Sequence, residues 1–290
     1  IETCYNNAKD PNNINIGISF TGNKTFFEEI TNKYPKIKTK YYTYEENIGV
    51  GSGRLSALSM YDNEEYFLQI DSHNNFFKNW DEYLINKFKE AKQVFNSDKV
   101  VFSGCLPMYE YLGKKIFSET HLGYPLYAKN EFFFEVIPSF YSEDIDNLEL
   151  VSKMVEKTGF APLTKIHGFF MFGSRALAQN LGIDKNIIFW EEEIIQSINL
   201  IDNGFILVYP GKNSPMSHYH IRNKNSGNRE SVFSTYSNAI QLMIKNYYTY
   251  ILDSKNIDKI NRYKEYTGLD LTMGPSEENL TPSKYANVGV

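Results

Sequence analysis

The residues with the clearest chemical potential are Asp71 and His73, two positions apart in Asp71-Ser72-His73. They follow Tyr66-Phe67-Leu68-Gln69-Ile70, an aromatic and branched run that reads as a β-strand. A turn just past that strand brings a carboxylate and an imidazole onto one cation. A hard oxygen with a borderline nitrogen suits Mn²⁺, Mg²⁺ or Zn²⁺. A second histidine-bearing loop, Ser217-His218-Tyr219-His220 with Arg222 just beyond, follows a late strand and could complete the shell. The triplet alone is a short pattern. Asp71 serves equally well as the turn residue that closes a strand, and His73 as a loop residue.

Two other stretches carry chemistry-bearing groups. Asn47–Ala57, NIGVGSGRLSA, holds three glycines in five residues, Gly49, Gly51 and Gly53, and runs into a helix expected over roughly Gly53–Met60. Glycines permit close backbone approach, a helix N-terminus attracts phosphate, and the guanidinium of Arg54 suits phosphate oxygens. The stretch has neither a Walker pattern nor the G-x-G-x-x-G order, so an ordinary loop explains it as well. Glu191-Glu192-Glu193 opens a later helix. Favourable interaction with the helix macrodipole is sufficient reason for three acids there. The functional alternative has one of them facing the crevice as a base or acceptor-orienting group.

The elements that must position these groups alternate between strand and helix. Ile1–Lys9 reads as the tail of a helix, Ile14–Phe20 as a strand, Lys24–Tyr34 as a helix and Ile37–Tyr44 as a second strand. A helix feeding a strand at the start leads us to expect a further strand before it. Trp80, Tyr83, Leu84, Phe88 and Ala91 recur at three- and four-residue steps and predict a helix over Trp80–Phe95. Lys99–Ser103, His167–Ser174 and Gly204–Tyr209 read as strands, Arg175–Leu181 and Ile194–Asn203 as helices. Residues 108–145 look like a loop-and-hairpin insertion with a strand at Glu131–Ile137, able to set acceptor choice over a crevice. Glu230–Leu252 and Lys255–Tyr266 predict two closing helices that could pack on the sheet, dimerise or dock a partner. In an α/β sheet of this kind the ligand crevice lies beyond the carboxyl ends of the strands, which is where Asp71 falls.

Composition narrows the class. The chain has 290 residues, 42% of them hydrophobic, enough for one large core. A net charge of −5 disfavours non-specific nucleic-acid binding. No run of about 18 apolar residues suggests a membrane span. Two cysteines, Cys4 and Cys105, are too few for a disulfide scaffold and fit a reducing, cytoplasmic setting.

Taken in order, several segments resemble one family. Gly51–Arg54 with Leu58, then Leu68-Gln69-Ile70-Asp71-Ser72-His73 followed by Phe76 and Trp80-Asp81, form a long and specific signature. Gly168-Phe169-Phe170, Phe189 with Glu192-Glu193-Ile194, Gly204-Phe205 with Tyr209-Pro210, and His218-x-His220-x-Arg222 follow in the same order. Together they are similar to the GlcNAc-transferase family typified by the Skp1 hydroxyproline N-acetylglucosaminyltransferase. The resemblance covers roughly residues 5–225.

The resemblance implies an α/β fold with a GT-A-like nucleotide-binding sheet flanked by helices. Residues 1–225 would form the catalytic domain, with its first strand apparently missing, and 226–290 a C-terminal helical extension. It implies retaining transfer of a sugar, GlcNAc by family precedent, from a UDP-sugar donor to a hydroxyl on a protein or glycan acceptor. A divalent metal, Mn²⁺ or Mg²⁺, is expected on Asp71, His73 and His218. Gly51, Gly53, Arg54, Asp71, Ser72 and Arg222 are expected to hold the nucleotide sugar. Glu192 and Glu193 match the family's paired acids and take the catalytic roles, although the family usually has Gly where this chain has Glu191. Oligomerisation through the C-terminal helices is a further expectation. The same Asp and His residues also admit a metal-dependent nucleotide-sugar hydrolase or phosphoesterase, which would hydrolyse donor without an acceptor. A non-catalytic carbohydrate-binding module would bind sugar even after Asp71→Ala.

Overall fold

The computed structural model describes the chain except residues 47–48, 105, 107, 112–114, 118–154, 190, 212, 220–238, 269 and 274–290. The chain enters through a short helix α1 (Glu2–Asn7). It continues through β1 (Gly17–Thr21), α2 (Lys24–Lys33), β2 (Lys38–Tyr42) and α3 (Val50–Leu58). Then come β3 (Tyr66–Ile70), β4 (Asn74–Phe76), α4 (Trp80–Phe95), β5 (Val100–Ser103), β6 (Met108–Tyr111) and β7 (Lys115–Phe117). The second half supplies β8 (Ala161–Pro162), β9 (Phe170–Ser174), α5 (Arg175–Asn180), α6 (Glu191–Asp202), β10 (Ile206–Tyr209) and β11 (Met216–Tyr219). Two helices, α7 (Ala239–Ile251) and α8 (Ile257–Thr267), close the described part.

Three sheets result among the described residues. The main one runs β3-β9-β5-β10-β8 and is mixed: β9 is antiparallel to both β3 and β5, whereas β10 is parallel to β5. A smaller sheet runs β4-β11-β6-β7. Strands β1 and β2 pair in parallel as a separate two-stranded sheet. A broad cleft of about 1970 Å³ separates β1 from β3, lined by Ile16, Ile18 and Phe20 on one side and Leu68 and Ile70 on the other.

Alternation along the strands creates two cores, one on each face of the main sheet. Val101, Met171 and Leu207 face a cluster completed by Ile194 and Ile198 of α6 and by the closing helices. Val100, Phe102, Phe172 and Val208 face the other, completed by Trp80, Leu84, Phe88 and Ala91 of α4. Those α4 positions lie on one helical stripe. Full burial of a residue such as Leu84 or Phe88 contributes about 1.5–3 kcal/mol. The closing helices do not stand apart. Tyr247, Ile251, Ile260 and Tyr263 are buried in the same cluster as α6, and the Tyr263 hydroxyl donates to the Thr164 carbonyl at 3.0 Å. Among the described residues, no helix is long and apolar enough to cross a membrane.

The α/β class expected from sequence is the one observed. Three local expectations change. Helix α3 begins at Val50 rather than near Gly53, because its glycines pack against distant backbone. Asn74–Phe76 is a strand, β4, in a stretch for which the sequence predicted none. His218 stands on strand β11 rather than in a loop, because Met216–Tyr219 gains partners on both sides in β4 and β6. The strand expected at Glu131–Ile137 lies outside the described residues.

Candidate functional site

Strand β3 ends at Ile70, and the chain reverses at once into β4. The turn is closed by the Asn74 side-chain amide, which donates to the Asp71 carbonyl at 2.7 Å. Strand β11 runs antiparallel to β4 with His218 opposite Asn74. That register returns His218 to the turn holding Asp71 and His73. The imidazole rings of His73 and His218 have centroids 4.4 Å apart. Their Nε2 atoms lie 3.8 and 3.5 Å from Asp71 Oδ2. One ligand atom from each of the three residues falls within 4.8 Å of the others.

Ligand atoms on a common cation sit on the order of 3 Å apart, since each is about 2.0–2.6 Å from the ion. The cluster is therefore close to coordination spacing. His218 Nε2 is buried and has no hydrogen-bond partner among the described residues. A buried imidazole nitrogen set 3.5 Å from a carboxylate oxygen, at the outer edge of hydrogen-bonding distance, fits a divalent cation. Burial would raise the Asp71 pKa, but the neighbouring His218, Arg54 and His73 more than offset it and hold the carboxyl below its usual range. Asp71 thus stays anionic.

Arg54 on α3 connects this cluster to the acids of α6. Its Nη2 donates to Asp71 Oδ1 at 3.3 Å, and its Nε lies 2.6 Å from Glu192 Oε1. Glu192 is buried, and Gln196 donates to its Oε1 at 3.1 Å. Burial pushes the Glu192 carboxyl upward, against the pull of Arg54. The pair is approached closely by Gly168: a Cβ there would lie 2.7 Å from Glu192 Oε2 and 3.1 Å from Arg54 Nη2.

Glu193 points to the other side of Gly168. It accepts from Lys165 Nζ at 2.9 Å and from the Gly168 N–H at 3.2 Å, with His167 Nδ1 at 3.6 Å. Burial opposes its ionisation, yet Lys165 and His167 hold it well below the carboxylate range. The Phe169 ring bridges from His167, at 5.3 Å, to His218, at 5.1 Å. Glu191 folds back onto its own helix entry and accepts from the Ile188 and Phe189 N–H groups. The acidic triplet therefore divides: Glu191 caps, Glu192 joins Arg54 and Asp71, and Glu193 holds the 165–168 segment.

The glycine turn has a different local role from the one its pattern suggests. The N–H groups of Val50 and Gly51 donate to the carbonyls of Ile188 and Ile187 at 3.0 and 3.1 Å. A Cβ on Gly51 would overlap the Asp184 carbonyl oxygen. Gly51 thus seats α3 against residues 184–188, while Gly53, Arg54, Asp71 and Ser72 line the cleft. Arg222, like His220, lies outside the described residues. Sequence reasoning missed Asn74, Lys165, His167 and Gln196. Of these only Gln196, four residues after Glu192 on one helix, had a local signal.

Comparison with known proteins adds three findings. A family model for glycosyltransferase (GlcNAc) matches residues 4–267. No curated protein matches the chain. Among solved structures, a crystal structure of GalNAc-T7 with UDP, GalNAc and Mn²⁺ is similar at a TM-score of 0.48 and 15% identity, covering 83% of this chain and 45% of that one. The chain thus spans less than half the length of that protein's structure.

Proposed function

We propose, from the premise that this chain belongs to the glycosyltransferase (GlcNAc) family, that it is a metal-dependent retaining transferase. Its donor in this reading is UDP-GlcNAc, and its acceptor is a hydroxyl group on a protein or glycan. The observation that carries the metal dependence is the Asp71–His73–His218 cluster, in which the buried His218 Nε2 faces Asp71 Oδ2 at 3.5 Å.

The leaving group in such a transfer is a nucleoside diphosphate, so negative charge grows on it as the glycosidic bond breaks. A divalent cation, when bound, neutralises part of that charge. Asp71, His73 and His218 are the residues that would hold it. Arg54, fixed between Asp71 and Glu192, presents a preorganised guanidinium next to the same position. Gly53 and Ser72 line the cleft through which the nucleotide approaches. Of the two candidate acids, Glu192 is the one tied to Arg54 and Asp71. In this reading it stabilises the positively charged sugar or orients the acceptor hydroxyl, and is not a nucleophile. Glu193, engaged with Lys165, His167 and the Gly168 N–H, positions the 165–168 segment. The donor phosphate itself accepts the acceptor proton, as retention without a protein nucleophile requires.

The test is donor turnover. The protein is incubated with a panel of UDP- and GDP-sugars, with Mn²⁺ or with EDTA, and nucleoside diphosphate release is followed. The expected outcome is release from UDP-GlcNAc, lost with EDTA and in Asp71→Ala and His218→Ala, and stimulated by acceptor. Release that EDTA leaves intact would remove the metal role. Release without any stimulation by hydroxyl acceptors would favour hydrolysis over transfer.

A further inference from the structure

We infer that the side-chain oxygen of Asn74 is a fourth protein ligand in the cation site of Asp71, His73 and His218. The inference rests on the metal-dependent reading above and adds a residue type that motif matching does not supply.

Three observations support it. First, the Asn74 amide has a fixed orientation. Its Nδ2 donates to the Asp71 carbonyl at 2.7 Å; flipping the amide would set two acceptor oxygens against each other. Second, the other end of that amide, Oδ1, is buried and has no hydrogen-bond partner among the described residues. Leaving such an acceptor unsatisfied costs roughly 1–3 kcal/mol. Third, Asn74 and His218 are directly opposed in the antiparallel β4–β11 pair. Opposed residues project from the same face of a sheet with Cβ atoms about 4.5–5.5 Å apart.

Asn74 Oδ1, which has no partner among the described residues, and His218 Nε2, 3.5 Å from Asp71 Oδ2, thus belong to cross-strand neighbours. Each offers a lone pair, and the His218 nitrogen lies beside the carboxylate of Asp71. One divalent cation satisfies both atoms and the carboxylate together. An amide oxygen is a hard ligand, and its addition to an Asp-His-His set favours Mn²⁺ and Mg²⁺ over Zn²⁺. The role of Asn74 is then double: its nitrogen closes the turn and its oxygen faces the ion.

The experiment is Mn²⁺ binding to the full chain, measured by the electron paramagnetic resonance of free Mn²⁺ and by titration calorimetry. It compares wild type, Asn74→Ala, Asn74→Asp and His218→Ala, each also melted without metal to establish folding. Asn74→Ala is expected to weaken Mn²⁺ binding about 10–100-fold, the loss typical of a disturbed metal shell. Asn74→Asp separates the two roles, because it keeps an oxygen ligand but loses the donor to Asp71. It should bind Mn²⁺ at least as tightly as wild type. If Asn74→Asp is as weak as Asn74→Ala, the side chain acts only by closing the turn and the inference fails. Wild-type affinity in Asn74→Ala overturns it as well, while loss of binding in His218→Ala would leave the three-residue site standing. Absence of Mn²⁺ binding by wild type, with or without UDP, would overturn the metal reading of the function and this inference with it.

Discussion

Glu193→Gln tests whether the acid beside the site is a charged structural anchor. Glu193 and Lys165 meet at 2.9 Å with side chains 19% and 9% exposed. Removing one charge from a buried pair costs about 3–5 kcal/mol, because the partner is left uncompensated. The glutamine oxygen can still accept from the Gly168 N–H, and residual exposure softens the penalty. The expected loss is therefore about 2–3 kcal/mol at pH 7. For a chain of this size that corresponds to a melting temperature lower by roughly 4–10 °C. Urea unfolding and thermal melts measure both quantities. Lys165→Met in the Glu193→Gln background should restore much of the loss, since it removes the orphaned ammonium.

The pH dependence fixes the sign independently. The Glu193 carboxyl is held below its ordinary pKa by Lys165 and His167, against burial. A depressed carboxylate contributes stability that is fully present above the unfolded value, about 4.3, and is lost as pH falls toward the folded one. The gap between wild type and Glu193→Gln should be complete at pH 7 and narrow as the solution is acidified below about pH 4. A stability change under about 0.5 kcal/mol, the scatter of ordinary surface substitutions, would refute the anchor. So would a gap that stays constant from neutral pH into acid.

Two other predictions concern the donor side. Arg54→Lys keeps the charge but cannot reach Glu192 and Asp71 with separate nitrogens, so kcat/KM for UDP release should fall about 10–100-fold with folding preserved; wild-type turnover would show that the forked geometry is dispensable. Gly168→Ala places a methyl group 2.7 Å from Glu192 Oε2 and 3.1 Å from Arg54 Nη2. Donor turnover should drop by more than about tenfold while Mn²⁺ affinity changes little, because the strain falls on the acid–guanidinium pair rather than on the histidines; a fully active variant would show that the pair can move aside without cost.

What the sequence revealed follows from how local each signal was. Strand β3 and helix α4 were legible to the residue, because period and residue type are properties of the stretch itself. Asp71 and His73 were legible as a pair for the same reason. The start of α3 was not. Its glycines looked like a free phosphate loop, but their meaning depends on the carbonyls of Asp184, Ile187 and Ile188, which are far along the chain. The short strands β4 and β11 were invisible because three or four residues carry little periodicity, and only their mutual pairing makes them strands. Within Glu191–Glu193 the sequence carries no local signal that separates Glu192 from Glu193, whereas each acid has a different long-range or local partner.

The electrostatics of the site argue for the order in which its ligands assemble. One guanidinium, Arg54, serves two carboxylates, Asp71 and Glu192. Lys165 and Glu193 balance each other nearby. Counted by the formal charges of Arg54, Asp71 and Glu192, the immediate cluster carries one net negative charge, which favours a cation and disfavours a free diphosphate. A bound divalent ion reverses that balance and leaves one net positive charge facing the cleft. The diphosphate is then attracted to the ion and to Arg54 together. Metal first and nucleotide second is the sequence this charge arrangement predicts. UDP titrations should therefore show tight binding only after Mn²⁺ is added, and Arg54→Lys should weaken UDP more than it weakens Mn²⁺. Equal UDP affinity with and without Mn²⁺ would contradict the argument, because a net negative site offers a diphosphate no comparable attraction.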